Sequence, residues 1–127
     1  RSQRRLALEG HRLRVFGALL LPDGRRALSW SYDNTLLLWD LETGAGQPLE
    51  GHSGWVNGAL LLPDGRRALS WSPDNTLRLW DLDSLRETAR FVGDDPITFV
   101  AFSPRLQLAL AGDQNGRMLF FHMPPRK

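Results

Sequence analysis

The chain contains three histidines, His11, His52 and His122, together with several serines and aspartates, so every residue type of a Ser–His–Asp hydrolase is present. His52 with Ser70 would be the pair to suspect. A strained nucleophile requires a sharp turn, however, and no Gly-x-Ser-x-Gly elbow occurs. The sequence around His52 and Ser70 also repeats that around His11 and Ser29, and duplicated constellations argue for architecture rather than for one reactive centre. Metal chemistry is equally disfavoured: the histidines stand 41 residues or more apart, cysteine is absent and no His-x₃-His spacing exists. No phosphate-binding loop, paired catalytic carboxylates or cofactor fingerprint is found. The reading is of a non-enzymatic protein with no catalytic residue, no metal and no cofactor.

The elements that would hold these residues follow from self-comparison. At a shift of 41 residues, Leu8 to Leu41 matches Leu49 to Leu82 at 28 of 34 positions without a gap. The differences are Arg12/Ser53, Leu13/Gly54, Arg14/Trp55, Phe16/Asn57, Tyr32/Pro73 and Leu37/Arg78. A further shift of 41 reaches a degenerate copy in which Pro104, Ala109 and Leu110 are retained and Phe121 falls on Trp80. Periods of this length mark solenoids and propellers. The chain divides into a basic tail over 1–5, repeats over 6–48, 49–89 and 90–122, and a C-terminal tail over 123–127.

Each unit reads as short strands. Val15 to Leu21 and Ala27 to Ser31 flank Pro22-Asp23-Gly24, and Asp33-Asn34 turns the chain into Thr35 to Asp40. The second copy repeats this over Val56 to Leu62, Ala68 to Ser72 and Thr76 to Asp81. Weaker fourth strands are expected at Leu6-Ala7-Leu8, Gln47 to Glu50 and Arg90 to Val92. Apolar residues occupy both parities of the inner strands, so both faces of each sheet must be covered.

Gly10-His11 and Gly51-His52 before the first strand, with Trp39-Asp40 and Trp80-Asp81 ending the third, resemble the WD-repeat β-propeller family. The resemblance implies an all-β fold of four-stranded blades. It also implies a hydrogen-bonded chain inside each blade, formed by His11, Ser29, Asp33 and Trp39, then by His52, Ser70, Asp74 and Trp80. In the third unit Gly93, Ala111, Asn115 and Phe121 stand at these places, a joint loss that leaves no single buried group stranded but questions the rigidity of that blade. His122 reads as an ordinary surface histidine.

Two faces could carry partners. Trp30 and Trp71 are read either as packing between blades or as aromatic anchors beside the Gly-His loops; Arg14, Trp55, Tyr32 and Pro73 vary on that same side. On the opposite face Arg25-Arg26 and Arg66-Arg67 follow the Pro-Asp-Gly turns, either as a self-neutralised surface or as a site for an acidic partner or phosphate backbone. The net charge of +2 does not favour nucleic acid: setting aside Arg1, Arg4, Arg5, Arg126 and Lys127 leaves 11 basic against 14 acidic residues, a body of −3. Apolar runs such as Ala18 to Leu21 fall far short of the ~18–20 residues of a membrane helix, and a cytoplasmic, membrane-free protein is expected.

Propellers close with about 4–8 blades, and three leave open faces. Closure between chains is expected, the Leu6-Ala7-Leu8 strand of one copy pairing with Met118-Leu119-Phe120-Phe121 of another, as a homodimer of six blades or a homotrimer of nine. The alternative is a fragment of a larger propeller. The near-identity of the copies is similar to recently amplified repeats of bacterial multidomain regulators, in which such repeats follow a nucleotide-binding module. A scaffold or ligand-sensing propeller binding proteins or peptides is the leading expectation.

Overall fold

Alternating apolar runs and Pro-Asp-Gly turns fold into eleven strands in a computed structural model that describes residues 7–126, among which no helix occurs. The first blade is the antiparallel sheet β1 (Val15–Leu20), β2 (Arg26–Ser31), β3 (Leu36–Asp40) and β4 (Gly46–Leu49). The second is β5 (Gly58–Leu61), β6 (Arg67–Trp71), β7 (Thr76–Asp81) and β8 (Arg86–Val92). The third has only β9 (Ile97–Ser103), β10 (Leu108–Asp113) and β11 (Met118–His122), with β11 at its outer edge. These are propeller blades in sequence order, and the row of three does not close.

The turns explain the register. Asp23 Oδ1 accepts from the N–H groups of Arg25 and Arg26, Asp64 Oδ1 from those of Arg66 and Arg67, and Gly24 and Gly65 each take φ +69°. A side chain resists that conformation, which is why glycine ends the tripeptide.

Two cores lie between the blades. Leu21, Leu28, Leu36, Leu38 and Leu49 of the first blade pack against Val56, Ala68, Trp80 and Leu82 of the second. The second blade's other face, Leu62, Leu69, Leu77 and Leu79, meets Ile97, Ala109, Ala111 and Met123. The expected burial of both sheet faces thus holds for the middle blade, while each outer blade keeps one face open.

Three departures from expectation have physical causes. Leu6 lies outside the described residues, and Ala7 and Leu8 form no strand, because the edge they would pair with belongs to a different blade from the one they lead into. The last turn is not slack: Asp113, two residues before Asn115, is buried and its Oδ1 accepts from the N–H groups of Asn115 and Arg117 at 2.9 Å, while Gly116 adopts φ +83° where Asn34 and Asn75 have +75° and +72°. The segment after β11 also docks rather than trailing: Met123 is buried, Arg67 Nη1 donates to Pro124 O, and Arg126 pairs with Asp81 and Asp83 at 2.9 Å.

A cross-strand exchange locks the inner strands. Trp30 lies over its partner Gly17 and Trp71 over Gly58, so closely that a methyl on either glycine would overlap the indole. In the third blade the same pair is reversed, with Phe99 over Gly112. A Gly58→Ala substitution should therefore cost about 1–3 kcal/mol through overpacking, measured by denaturant unfolding. Adding Trp71→Ala should relieve the clash, so that the two changes together cost less than their sum. A Gly58→Ala protein as stable as the parent would show that the indole is free to move aside.

Candidate functional site

Between strands β2 and β3 of the first blade, Trp39 Nε1 donates to Ser29 Oγ at 2.8 Å, Ser29 Oγ bonds His11 Nε2 at 2.7 Å, and His11 Nδ1 bonds Asp33 Oδ2 at 3.1 Å. The second blade repeats this, with Trp80 to Ser70 at 2.8 Å, Ser70 to His52 at 2.7 Å and His52 to Asp74 at 2.8 Å. With the imidazole proton on Nδ1, every donor in the series meets one acceptor: indole N–H to hydroxyl oxygen, hydroxyl to Nε2, Nδ1–H to carboxylate. All eight residues expected to meet are thus within hydrogen-bond distance. The serine hydroxyl is buried inside the blade and held at both ends, by the indole and by the imidazole, so that it joins two strands and the entering loop.

The aspartates anchor the loops as well. Asp74 Oδ2 accepts from the Ser53 N–H and its Oδ1 from the Thr76 N–H and hydroxyl, so it ties the Gly-His loop to the β6–β7 turn. Asp33 does the same through Arg12 and Thr35. Burial would raise these carboxyls, but the hydrogen bonds outweigh it: for Asp74 those from His52 and Thr76, for Asp33 those from Thr35 and Arg12, hold each well below the usual carboxylate range.

Sequence reasoning missed an addition to the second chain. Arg78, which stands where the first copy has Leu37, is buried and donates from Nε to Thr76 Oγ1 at 3.0 Å and from Nη1 to Glu87 Oε1 at 2.9 Å. Its Nη2 lies 3.4 Å from Asp74 Oδ2. The signal was in the sequence: Gly46 becomes Glu87 in the copy where Leu37 becomes Arg78. The third blade, lacking the chain, builds an ion cluster in which Arg117 contacts Asp113 at 3.0 Å and Asp95 at 2.9 Å.

On the face of the Gly-His loops, Tyr32 and Trp55 stack with ring centroids 5.1 Å apart and planes 18° apart, and Phe16 meets Tyr32 edge-on at 5.8 Å. All three rings are exposed, and Arg14 and Leu13 form a shallow concavity with Phe16 and Tyr32. Trp30 and Trp71 are each half-buried over a glycine and pack against an inter-blade core. The arginines of the opposite face are paired. Arg25 contacts Asp40 and Glu42, Arg26 contacts Asp23 and Asp83, Arg66 contacts Asp83, and Arg67 is buried against Asp64. Among the described residues no group of histidine, cysteine and carboxylate side chains is placed to hold a metal, and no helix is long and apolar enough to cross a membrane.

Cutting the hydroxyl out of the second chain strands an imidazole and an indole N–H together, so Ser70→Ala should lower stability by about 1–3 kcal/mol, read by denaturant unfolding. Acid should act on the same unit. A depressed carboxyl in the folded state contributes stability that is full above its unfolded value, about pH 4, and is lost as pH falls below it. Stability measured from pH 7 to pH 3 should drop, and less steeply in Asp74→Asn.

A search of curated proteins finds no match. The family model described as WD domain, G-beta repeat matches residues 2–40 and 46–81, the two repeats that carry the intact Trp–Ser–His–Asp chain. Repeats of this family generally mediate protein–protein interaction. The agreement of motif, blade topology and buried polar chain has one reading: this protein belongs to the WD-repeat family.

Proposed function

We propose that the chain is a non-catalytic, cytoplasmic protein-interaction scaffold that closes its ring with a second copy of itself and binds a protein or peptide on the face of the Gly-His loops. The observation that carries the partner-binding reading is where the two near-identical copies part. Of the six differences between Leu8–Leu41 and Leu49–Leu82, five are at residues 12–14, 16 and 32 or their counterparts, around the exposed Phe16–Tyr32–Trp55 cluster. Clustered exposed aromatics flanked by an arginine are the composition of an interaction hot spot. The arginine face is a weaker candidate for nucleic acid, since its guanidinium groups already hold carboxylates. Selection of displayed random peptides against the protein should enrich binders that lose tenfold or more in affinity on Tyr32→Ala/Trp55→Ala. Enriched peptides that bind both proteins equally would overturn this assignment.

Closure is supported by residues of one type in two environments. Val15 is 51% exposed and Leu41 38%, whereas their counterparts Val56 and Leu82, covered by the first blade, are 0% and 1% exposed. Leu8 is 40% exposed and its counterpart Leu49 fully buried. At the other end Met118 and Phe120 face solvent where Leu77 and Leu79 are buried by the third blade. The open face of the first blade therefore presents what the second blade presents to its neighbour, and β11 lacks an outer strand. Light scattering on a sizing column should give a dilution-resistant mass of twice, or alternatively three times, 14.4 kDa, and Phe120→Glu should reduce it. A stable monomer at micromolar concentration would overturn closure between copies.

A further inference from the structure

The two intact repeats differ in one buried place that closure and the aromatic face do not use. In the second blade the Arg78 guanidinium fills the space between the Gly-His loop and strands β7 and β8, bonded to Thr76, Glu87 and Asp74 and lying against Gly51. In the first blade Leu37 Cδ1 and the Trp39 indole lie against Gly10 instead, and beyond the shorter Leu37 side chain a groove is left open. Leu37 ends short of the Thr35 hydroxyl's acceptor side, Gly46 under the Trp39 ring brings no carboxylate, and the remaining walls are Glu9, Gly10, Arg12, Asp33, Thr35, Pro48 and Glu50.

We propose that this groove is a subsite for the arginine side chain of a bound partner, whose guanidinium would sit beside Leu37 and meet the Thr35 and Asp33 acceptors that correspond to those of Arg78 in the second blade. The acceptors match. Thr35 Oγ1 donates to Asp33 Oδ1, as Thr76 Oγ1 does to Asp74 Oδ1, and so offers its lone pair outward in the same way that Thr76 offers its own to Arg78 Nε. Glu9 and Glu50 bring carboxylates in place of Glu87, and against them and Asp33 stands a single wall cation, the exposed Arg12, leaving the lining at −2. A planar fork with several N–H groups suits this set better than an ammonium, since the second blade satisfies three separate guanidinium nitrogens. The site needs no ring closure. It rests on the scaffold reading only for the source of the arginine, because the groove can be tested with a free probe.

The probe is N-acetyl-arginine amide, titrated to about 10 mM, a range suited to one side chain binding alone, while the amide resonances of Gly10 and Gly46 are followed by NMR. Saturable shifts at both glycines are expected, with the uncharged isostere N-acetyl-citrulline amide at least tenfold weaker. Leu37→Arg/Gly46→Glu, which grafts the second blade's own pair, should abolish the shifts; Leu37→Arg alone should weaken them and serves if the double variant does not fold. No saturable shift in the parent, equal binding of citrulline amide, or binding unchanged in the grafted proteins would each overturn the assignment. Saturation here with failure of the peptide selection would retain the groove and discard the aromatic face.

Discussion

A small sheet with apolar side chains on both faces cannot be stable by itself, and that constraint governs everything else in this chain. Each blade must lie between two others, so the natural unit of folding is the contact between blades rather than the blade. The middle blade meets the condition within the chain, with Leu69, Leu77 and Leu79 on one side and Ala68, Trp80 and Leu82 on the other. The outer blades meet half of it. Exposed Val15, Leu20, Met118 and Phe120 are the remaining half, and they share the chemistry of the buried interfaces rather than that of a solvated surface.

Cohesion inside each blade comes from a different source. The Trp–Ser–His–Asp chain runs from the third strand to the loop that enters the sheet, so that in the second blade an indole buried against the neighbouring blade and a carboxylate at the loop belong to one hydrogen-bonded unit. The serine hydroxyl in this unit bonds both the indole and the imidazole. Where the unit is lost, in the third blade, Asp113 and Arg117 hold the turn with charge instead. The same structural demand is met by two chemistries within one chain.

The sequence was most legible where a residue's role depends on its near neighbours and on exact repetition. The inner strands of the first two repeats and the Pro-Asp-Gly turns are readable from the residues themselves, whereas the eight residues of the two buried chains are legible only through the family resemblance that the Gly-His and Trp-Asp dipeptides carry. Legibility failed where a role depends on a partner elsewhere. Asp113 replaces Asn115 by acting from a position two residues away, which a fixed register hides. Arg78 and Glu87 meet across strands next to a bulge between Leu79 and Trp80, so their pairing is seen only in the ladder. Arg126, read as part of a tail, finds Asp81 and Asp83 from 45 and 43 residues away. Trp30 reads from the sequence either as packing or as an anchor, and the space that receives its ring is visible only across the ladder, over Gly17 on the next strand.

That last pair bears on how such repeats can drift. Aromatic over glycine in two blades and glycine under aromatic in the third are two solutions of one volume equation, and no intermediate is comfortable: two rings collide and two glycines leave a void. An idealised repeat obtained by taking the commonest residue at each position independently would be safe, since it selects tryptophan and glycine together. A chimaera that joined β9 of the third repeat to a second strand from either of the others would not be, because it would set Phe99 against tryptophan. Recombination points between copies are thus restricted to places that keep both members of the pair from the same parent.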